Sequence, residues 1–291
     1  MKRIVTLLLI VLIAPAVVAR AGKVVTDSVD SKTLGAKVTF NVYLPDSFET
    51  APARHYPFVY LLHGLTDEYD AWVSKGNMQT VVDELIGTGE ACEMVIIMPN
   101  AGGPDIHATW NGYFNMPGWR YEDFFFGELV PTVEERYRGI GTKGARAVMG
   151  LSMGGGGSVV YAQRHPDMFS SCYAMSAWLD NKSDEVSASQ DQPRDCFYYL
   201  SAAVRERSAL DFVDTAGEEE LQALRSVAWF IDCGDDDFLF DQNVALHQKM
   251  RRRGVKSELR VRNGIHNWEY WHTALRLSLP FASRNFDPSA R

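Results

Sequence analysis

The chain has 291 residues, 46% of them hydrophobic and 12% aromatic, enough apolar side chain to bury a large core. Its 37 acidic residues outnumber its 29 lysines and arginines, and the net charge of −8 argues against a nucleic-acid partner, whose phosphates call for a basic surface. The charges are mixed along the chain, so they read as a solvated surface rather than an acidic tail.

Residues 1–21 stand apart. Lys2 and Arg3 precede the apolar run 4–18, and Ala19-Arg20-Ala21 has the small-x-small form of a signal-peptidase site. The run is shorter than the ~20 residues a membrane span needs. A cleaved signal peptide is therefore expected, leaving residues 22–291 as a periplasmic or secreted protein with no membrane anchor. In such a compartment Cys92, Cys172, Cys196 and Cys233 are free to pair in any of three ways, a Cys172–Cys196 bridge among them. Cys92 and Cys233 border apolar runs and read as buried thiols, and the spacing shows no metal pattern.

Along the rest of the chain, strands alternate with helices. Residues 38–44 alternate apolar and polar like a half-buried strand. "FVYLL" (58–62), "MVIIM" (94–98), "ARAVM" (145–149), "CYAMS" (172–176) and "VAWFI" (227–231) are short apolar runs suited to strands covered on both faces, and residues 258–261 make a last strand. Val81, Val82, Leu85 and Ile86 form a helical stripe after Asn77, a candidate cap. Phe124, Phe125, Leu129 and Val133 form a second stripe, and a third helix is predicted over 241–253, opened by Asp241 and ended by Gly254. The alternation predicts one α/β domain with a mostly parallel central sheet and helices on both faces. Residues 179–226 are polar and interrupt it, which predicts a lid-like insertion.

"GLSMGGGGS" (150–158) places five glycines where a buried strand becomes a helix, although an interior glycine costs a helix about 1 kcal/mol. A G-x-S-x-G in a strand–turn–helix context is a nucleophile elbow, in which only small residues fit beside the exposed serine, here Ser152. Such a serine needs an acid and a histidine base, in the chain order serine, acid, histidine. The acid is sought in "DCGDDDFLFD" after the strand 227–231. Asp232 lies too near the strand and Asp241 reads as a helix cap, which leaves Asp237, with Asp236 next. Among seven histidines only His266, in "NGIHNWEYW", follows the last strand and precedes a helix. His63 ends a strand in His-Gly; it is read as holding its loop by a hydrogen bond, while the amides of Leu65 and Met153 form an oxyanion hole.

These segments resemble the esterase D-like branch of the α/β hydrolases, a family that includes feruloyl and acetylxylan esterases, tributyrin-type esterases, S-formylglutathione hydrolases and mycolyltransferases. "YPFVYLLHGLTDEYDAW", "VIIMPNAGG", "YEDFFFGELVPTVEERY", "AVMGLSMGGGGSVVYAQRHPDMFSS", "IDCGDDDFLFDQN" and "GIHNWEYW" are similar to its blocks and span about residues 56–272. The resemblance implies an α/β-hydrolase fold with Ser152, Asp237 and His266 as nucleophile, acid and base. It also implies acyl-enzyme chemistry that needs no metal or other cofactor. Residues 179–226 match no single subfamily, so the substrate stays open.

Trp72, Trp110, Trp178 and Trp268 follow strand ends and are candidates to line a substrate wall, with Tyr113 and Phe114 beside them. The expectation is an exported serine carboxylesterase acting on short-chain or aryl esters, feruloyl or acetyl groups on polysaccharide in particular. The alternatives are an S-formylglutathione hydrolase-like thioesterase, an exported acyltransferase, and a glycan-binding module on an inactive hydrolase scaffold.

Overall fold

The computed structural model describes residues 21–181 and 194–291. Eight strands form its main sheet: β1 (Lys23–Ser31), β2 (Ala36–Leu44), β3 (Phe58–Leu62), β4 (Val95–Pro99), β5 (Arg146–Leu151), β6 (Ser171–Met175), β7 (Ala228–Gly234) and β8 (Glu258–Arg262). They lie in the order β1-β2-β4-β3-β5-β6-β7-β8. The first two form an antiparallel hairpin, β2 runs antiparallel to β4, and every later pair is parallel.

The apolar runs become strands because they are covered twice. Along β3, Phe58, Tyr60 and Leu62 enter one core while Val59 and Leu61 enter the other, and β5 divides Val148 from Ala147 and Met149 in the same way. One face is covered by α1 (Met78–Gly87) and α8 (Trp268–Asn285). The opposite face is covered first by a helical stretch, α2, made of Tyr121–Phe124, the π-turn Phe125–Leu129 and Val130–Arg136, and then by α3 (Ser152–Arg164).

The predicted strands stand within three residues of their expected bounds, while β1 went unpredicted. It is an edge strand with mixed burial, so neither strict alternation nor an apolar run marks it. Asn77 precedes α1 in a left-handed conformation, but its side chain accepts from the Thr80 hydroxyl at 2.9 Å and caps no backbone amide. Asp241 is not a cap either. The third helix, α7 (Phe240–Arg252), starts one residue earlier, and Asp241 lies in its first turn.

The region predicted as a lid is helical where it is described: α4 (Cys196–Glu206), α5 (Ala209–Thr215) and α6 (Glu218–Leu224). Leu210, Val213, Leu221 and Leu224 are buried in the core, and α5 packs on α3 and α7. These two helices are part of the cover between β6 and β7 rather than a flap. Residues 1–20, which hold nearly all of the expected signal peptide, and residues 182–193 of the expected insertion lie outside the described residues. All four cysteines are free thiols, so the Cys172–Cys196 bridge does not form; Cys233 is buried and Cys92 only half-buried.

Candidate active site

Three strand ends converge on one hydrogen-bonded chain. Ser152 follows β5 with φ +52° and is the first residue of α3. The turn closes this tightly because Gly150 and Gly154 lack side chains. A Cβ on Gly150 would come within 2.5 Å of the Gly154 oxygen, and one on Gly154 within 2.5 Å of the carbonyls of Leu62 and His63. The Trp178 amide donates to the Ser152 carbonyl at 2.9 Å and fixes the elbow from the β6 side.

His266 Nε2 lies 2.9 Å from Ser152 Oγ, and His266 Nδ1 lies 2.9 and 3.0 Å from the two oxygens of Asp237. With Asp237 a carboxylate, Nδ1 carries the proton and Nε2 is left to accept from the serine hydroxyl. The Asp237 side chain is fully buried. Burial alone would raise its carboxyl, but hydrogen bonds from His266, the Leu239 amide and Ser176 outweigh it and hold the group below the ordinary carboxylate value. Asp237 is thus the acid brought to His266. The other candidates go elsewhere: Asp232 is buried among tyrosines, and Asp235 accepts from the Gly264 amide at 3.0 Å.

The turns that carry Asp237 and His266 are bonded to each other. The Asp235 amide donates to the Arg262 carbonyl and the Asp236 amide to the Gly264 carbonyl, both at 3.1 Å.

His63 is buried and joins two neighbouring strand ends. Its Nδ1 donates to the Gly64 carbonyl at 2.8 Å, and its Nε2 accepts from the Ala101 amide at 3.0 Å. Burial holds its pKa below the usual histidine value, consistent with a neutral ring in that tautomer. The loop it braces runs against Ser152, since a Cβ on Gly64 would lie 3.6 Å from Ser152 Cβ. Leu65 follows directly. The Met153 amide, in the first turn of α3, has no helical carbonyl one turn back to donate to.

The tryptophans divide. Trp110 is 41% exposed and lines a cavity of about 270 Å³ together with Gly64, Asp67, Asn100 and Met153. Trp178 stacks on Phe197 of α4 with ring centroids 6.3 Å apart. Trp72, by contrast, is 1% exposed and donates through Nε1 to the Leu62 carbonyl, so it is a strut under the His63 loop and not a substrate wall. Trp268 packs edge-on against Trp72 and Trp271. Tyr113 and Phe114 are buried, and the Tyr113 hydroxyl holds the His63 carbonyl.

Sequence reasoning missed Phe238 and Ile265. Phe238 is 76% exposed with its ring centroid 4.4 Å from that of His266, and Ile265 is 51% exposed. Their signal was adjacency: each is the neighbour in sequence of a predicted site residue, and each is apolar in a polar loop. A larger groove, about 1360 Å³, lies at the opposite ends of the strands between Lys143, Trp229 and Arg251. Among the described residues no serine–histidine–carboxylate chain stands there, so size does not mark the site. Among the described residues no cluster of His, Cys, Asp and Glu could hold a metal ion, and no helix is long and apolar enough to cross a membrane.

A family model described as putative esterase matches residues 31–282. The chain belongs to the esterase family. A solved ferulic acid esterase is 49% identical to this esterase, with 92% of this chain and 99% of that one covered at a TM-score of 0.87. The endo-1,4-beta-xylanase/feruloyl esterase of Xylanibacter ruminicola is 30% identical over 142 residues, 48% of this chain and 19% of its own length. Esterase Rv1288 of Mycobacterium tuberculosis is 32% identical over 144 residues, 29% of its length, so the esterase spans less than a third of either curated relative. The fold is the α/β-hydrolase fold, and the protein is a carboxylic ester hydrolase.

Proposed function

We propose that this esterase works through an acyl-enzyme on Ser152. The observation that supports the reading most directly is the unbroken chain Ser152 Oγ, His266 Nε2, His266 Nδ1, Asp237. His266 takes the hydroxyl proton as Ser152 Oγ bonds to the ester carbonyl carbon. The tetrahedral oxyanion is met by the amides of Leu65 and Met153. On collapse the carbon–alkoxy bond breaks and the imidazolium returns its proton to the departing alcohol. Water, deprotonated by His266, then attacks the acyl-enzyme and releases the acid and the serine.

Four exposed large apolar side chains, Trp110, Phe197, Phe238 and Ile265, belong to segments bordering the triad or the His63 loop. Exposed aromatic faces suit a flat acyl group or a sugar face, where stacking adds to burial. The substrate is read as an aryl or short acyl ester, feruloyl foremost, on a polysaccharide outside the cytoplasm. The ferulic acid esterase at 49% identity and the leader-like residues 1–21 favour that choice over the thioester and acyltransferase readings.

The test compares kcat/KM for methyl ferulate, acetylated xylan, p-nitrophenyl butyrate and S-formylglutathione, in the wild type and Ser152→Ala. Methyl ferulate is expected to lead, and Ser152→Ala to lose several orders of magnitude in kcat while keeping its Tm. A thioester preference of about tenfold or more, a difference of ~1.4 kcal/mol, would overturn the substrate assignment. Substantial activity in Ser152→Ala would overturn the mechanism.

A further inference from the structure

The proposed chemistry gives no part to the buried charged cluster around Asp232. Asp232, on the strand that leads into the Asp237 turn, has no exposed surface. Its Oδ1 accepts from the Tyr270 hydroxyl at 2.6 Å and Arg260 Nε at 3.2 Å. Its Oδ2 accepts from the Tyr173 hydroxyl at 2.6 Å and Arg260 Nη2 at 2.8 Å. A pair of a fully buried carboxylate and a partly buried guanidinium is a poor stabiliser beside well-packed apolar side chains. What four satisfied hydrogen bonds offer instead is a fixed position for the groups that make them.

The two phenols are alike chemically and different in what they touch. Tyr173 lies on β6, stacked on Phe230 and edge-on to Phe281, within the core. Tyr270 grips the loop of the base at several points. Its amide is capped by Asn267 Oδ1 at 3.0 Å, and a Cβ on Gly264 would run into its ring at 2.5 Å. The Arg262 guanidinium lies 3.4 Å from its ring centroid and also donates to its carbonyl. Residues 262, 264 and 267 bracket His266, so the loop that presents the imidazole is bound on both sides to one residue, Arg262 and Gly264 meeting its ring and Asn267 its backbone amide. That ring is tied through its hydroxyl to a strand of the central sheet.

We propose that the Tyr270–Asp232 hydrogen bond is the anchor that positions the His266 loop for proton transfer with Ser152. The inference rests on the triad reading. Neither residue touches substrate, and the role of each is positioning. A misplacement of the imidazole by a fraction of an ångström lengthens the 2.9 Å contact to Ser152 Oγ and slows the chemical step while leaving substrate binding alone.

The symmetry of the cluster supplies its own control. Tyr270→Phe and Tyr173→Phe each remove one phenol donor from Asp232, leave one guanidinium donor on the bereft oxygen, and keep the ring and its packing. Both variants are assayed with methyl ferulate for kcat and KM, and by the labelling rate of Ser152 with a serine-directed phosphonate. Tyr270→Phe is expected to lower kcat about tenfold with KM unchanged, and to slow labelling by a similar factor, while Tyr173→Phe keeps near wild-type rates at a comparable loss of Tm. Wild-type kcat in Tyr270→Phe, or equal falls in both variants, would overturn the anchor while an inactive Ser152→Ala left the triad reading standing. An active Ser152→Ala would overturn the triad reading and the anchor with it.

Discussion

Ser152 and His266 meet across 2.9 Å, yet the two sides of that contact are built by different means. On the serine side backbone is packed against backbone. Gly150 and Gly154 leave no room for a methyl group between β5, α3 and the end of β3. On the histidine side the loop is partly open to solvent, with Ile265 51% exposed, and is held by hydrogen bonds that Asp235, Asn267 and Asp237 accept and one that Arg262 donates. Backbone sterics cannot relax by small side-chain shifts, whereas a network of hydrogen bonds can lose one member and keep its outline. Damage on the first side should therefore appear as lost folding, and damage on the second as graded loss of rate.

The strongest test of that contrast is Asp237→Asn. It keeps the shape of the network but removes the charge that opposes the imidazolium, and kcat is expected to fall about 10⁴-fold, equivalent to ~5.5 kcal/mol, with little change in Tm. Steady-state kinetics with methyl ferulate measure it, and a fall below about tenfold would move the acid to a neighbour. Gly154→Ala comes next, and its effect belongs to folding. With carbonyl oxygens 2.5 Å from the new Cβ, a loss of about 3 kcal/mol is expected in urea unfolding. A loss within ~0.5 kcal/mol, the range of ordinary surface substitutions, would mean the elbow can relax.

Smaller effects sharpen the histidine side. The Asp235 carboxylate accepts from the Gly264 amide, so Asp235→Asn should slow kcat a few-fold, and Asp236→Asn less. Matching kinetics for the two would show that the Gly264 contact contributes nothing to alignment. The smallest effect concerns His63. Its folded pKa lies below its unfolded value because burial disfavours the charged ring. The stability it contributes is therefore fully present above the unfolded pKa of ~6.5 and is lost as pH falls below that value toward the folded pKa. Wild type should lose stability relative to His63→Gln as the pH falls from about 7.5 to 5.5. Urea midpoints of both proteins at the two pH values measure it, and a constant difference would mean His63 has the same pKa folded and unfolded.

The parts of the molecule readable in advance are those under the tightest local constraint. Val59, Leu61, Ile96 and Val148 had to be apolar because both faces of the parallel strands are covered, and such runs announce themselves. The elbow was legible because so few residue types fit beside Ser152. Edge strand β1 was not, since half of its surface faces water and its composition reads as loop. Trp72 was misread for a related reason. A tryptophan just past a strand end can face a cleft or turn under it, and only the one-turn helix Ala71–Ser74 directs this ring inward to the Leu62 carbonyl.

Chain order and residue type alone marked the strand–helix alternation and led to Ser152, His266 and a choice between Asp237 and Asp236, because an elbow tolerates few substitutions and its partners are sought at later strand ends, while the contact to His266 Nδ1 falls to Asp237. Side-chain direction and long-range pairing were decided by the tertiary structure. Helices α5 and α6 became cover rather than lid because their apolar residues found the core, those of α5 beside α3 and α7. Phe238 and Ile265 became rim because their neighbours Asp237 and His266 turn inward to each other, leaving the apolar side chains outside. Tyr270 could be joined to Asp232, 38 positions away, only once β7 and the first turn of α8 lay side by side, since a hydrogen bond between distant residues depends on where the backbone goes and leaves no trace in local pattern.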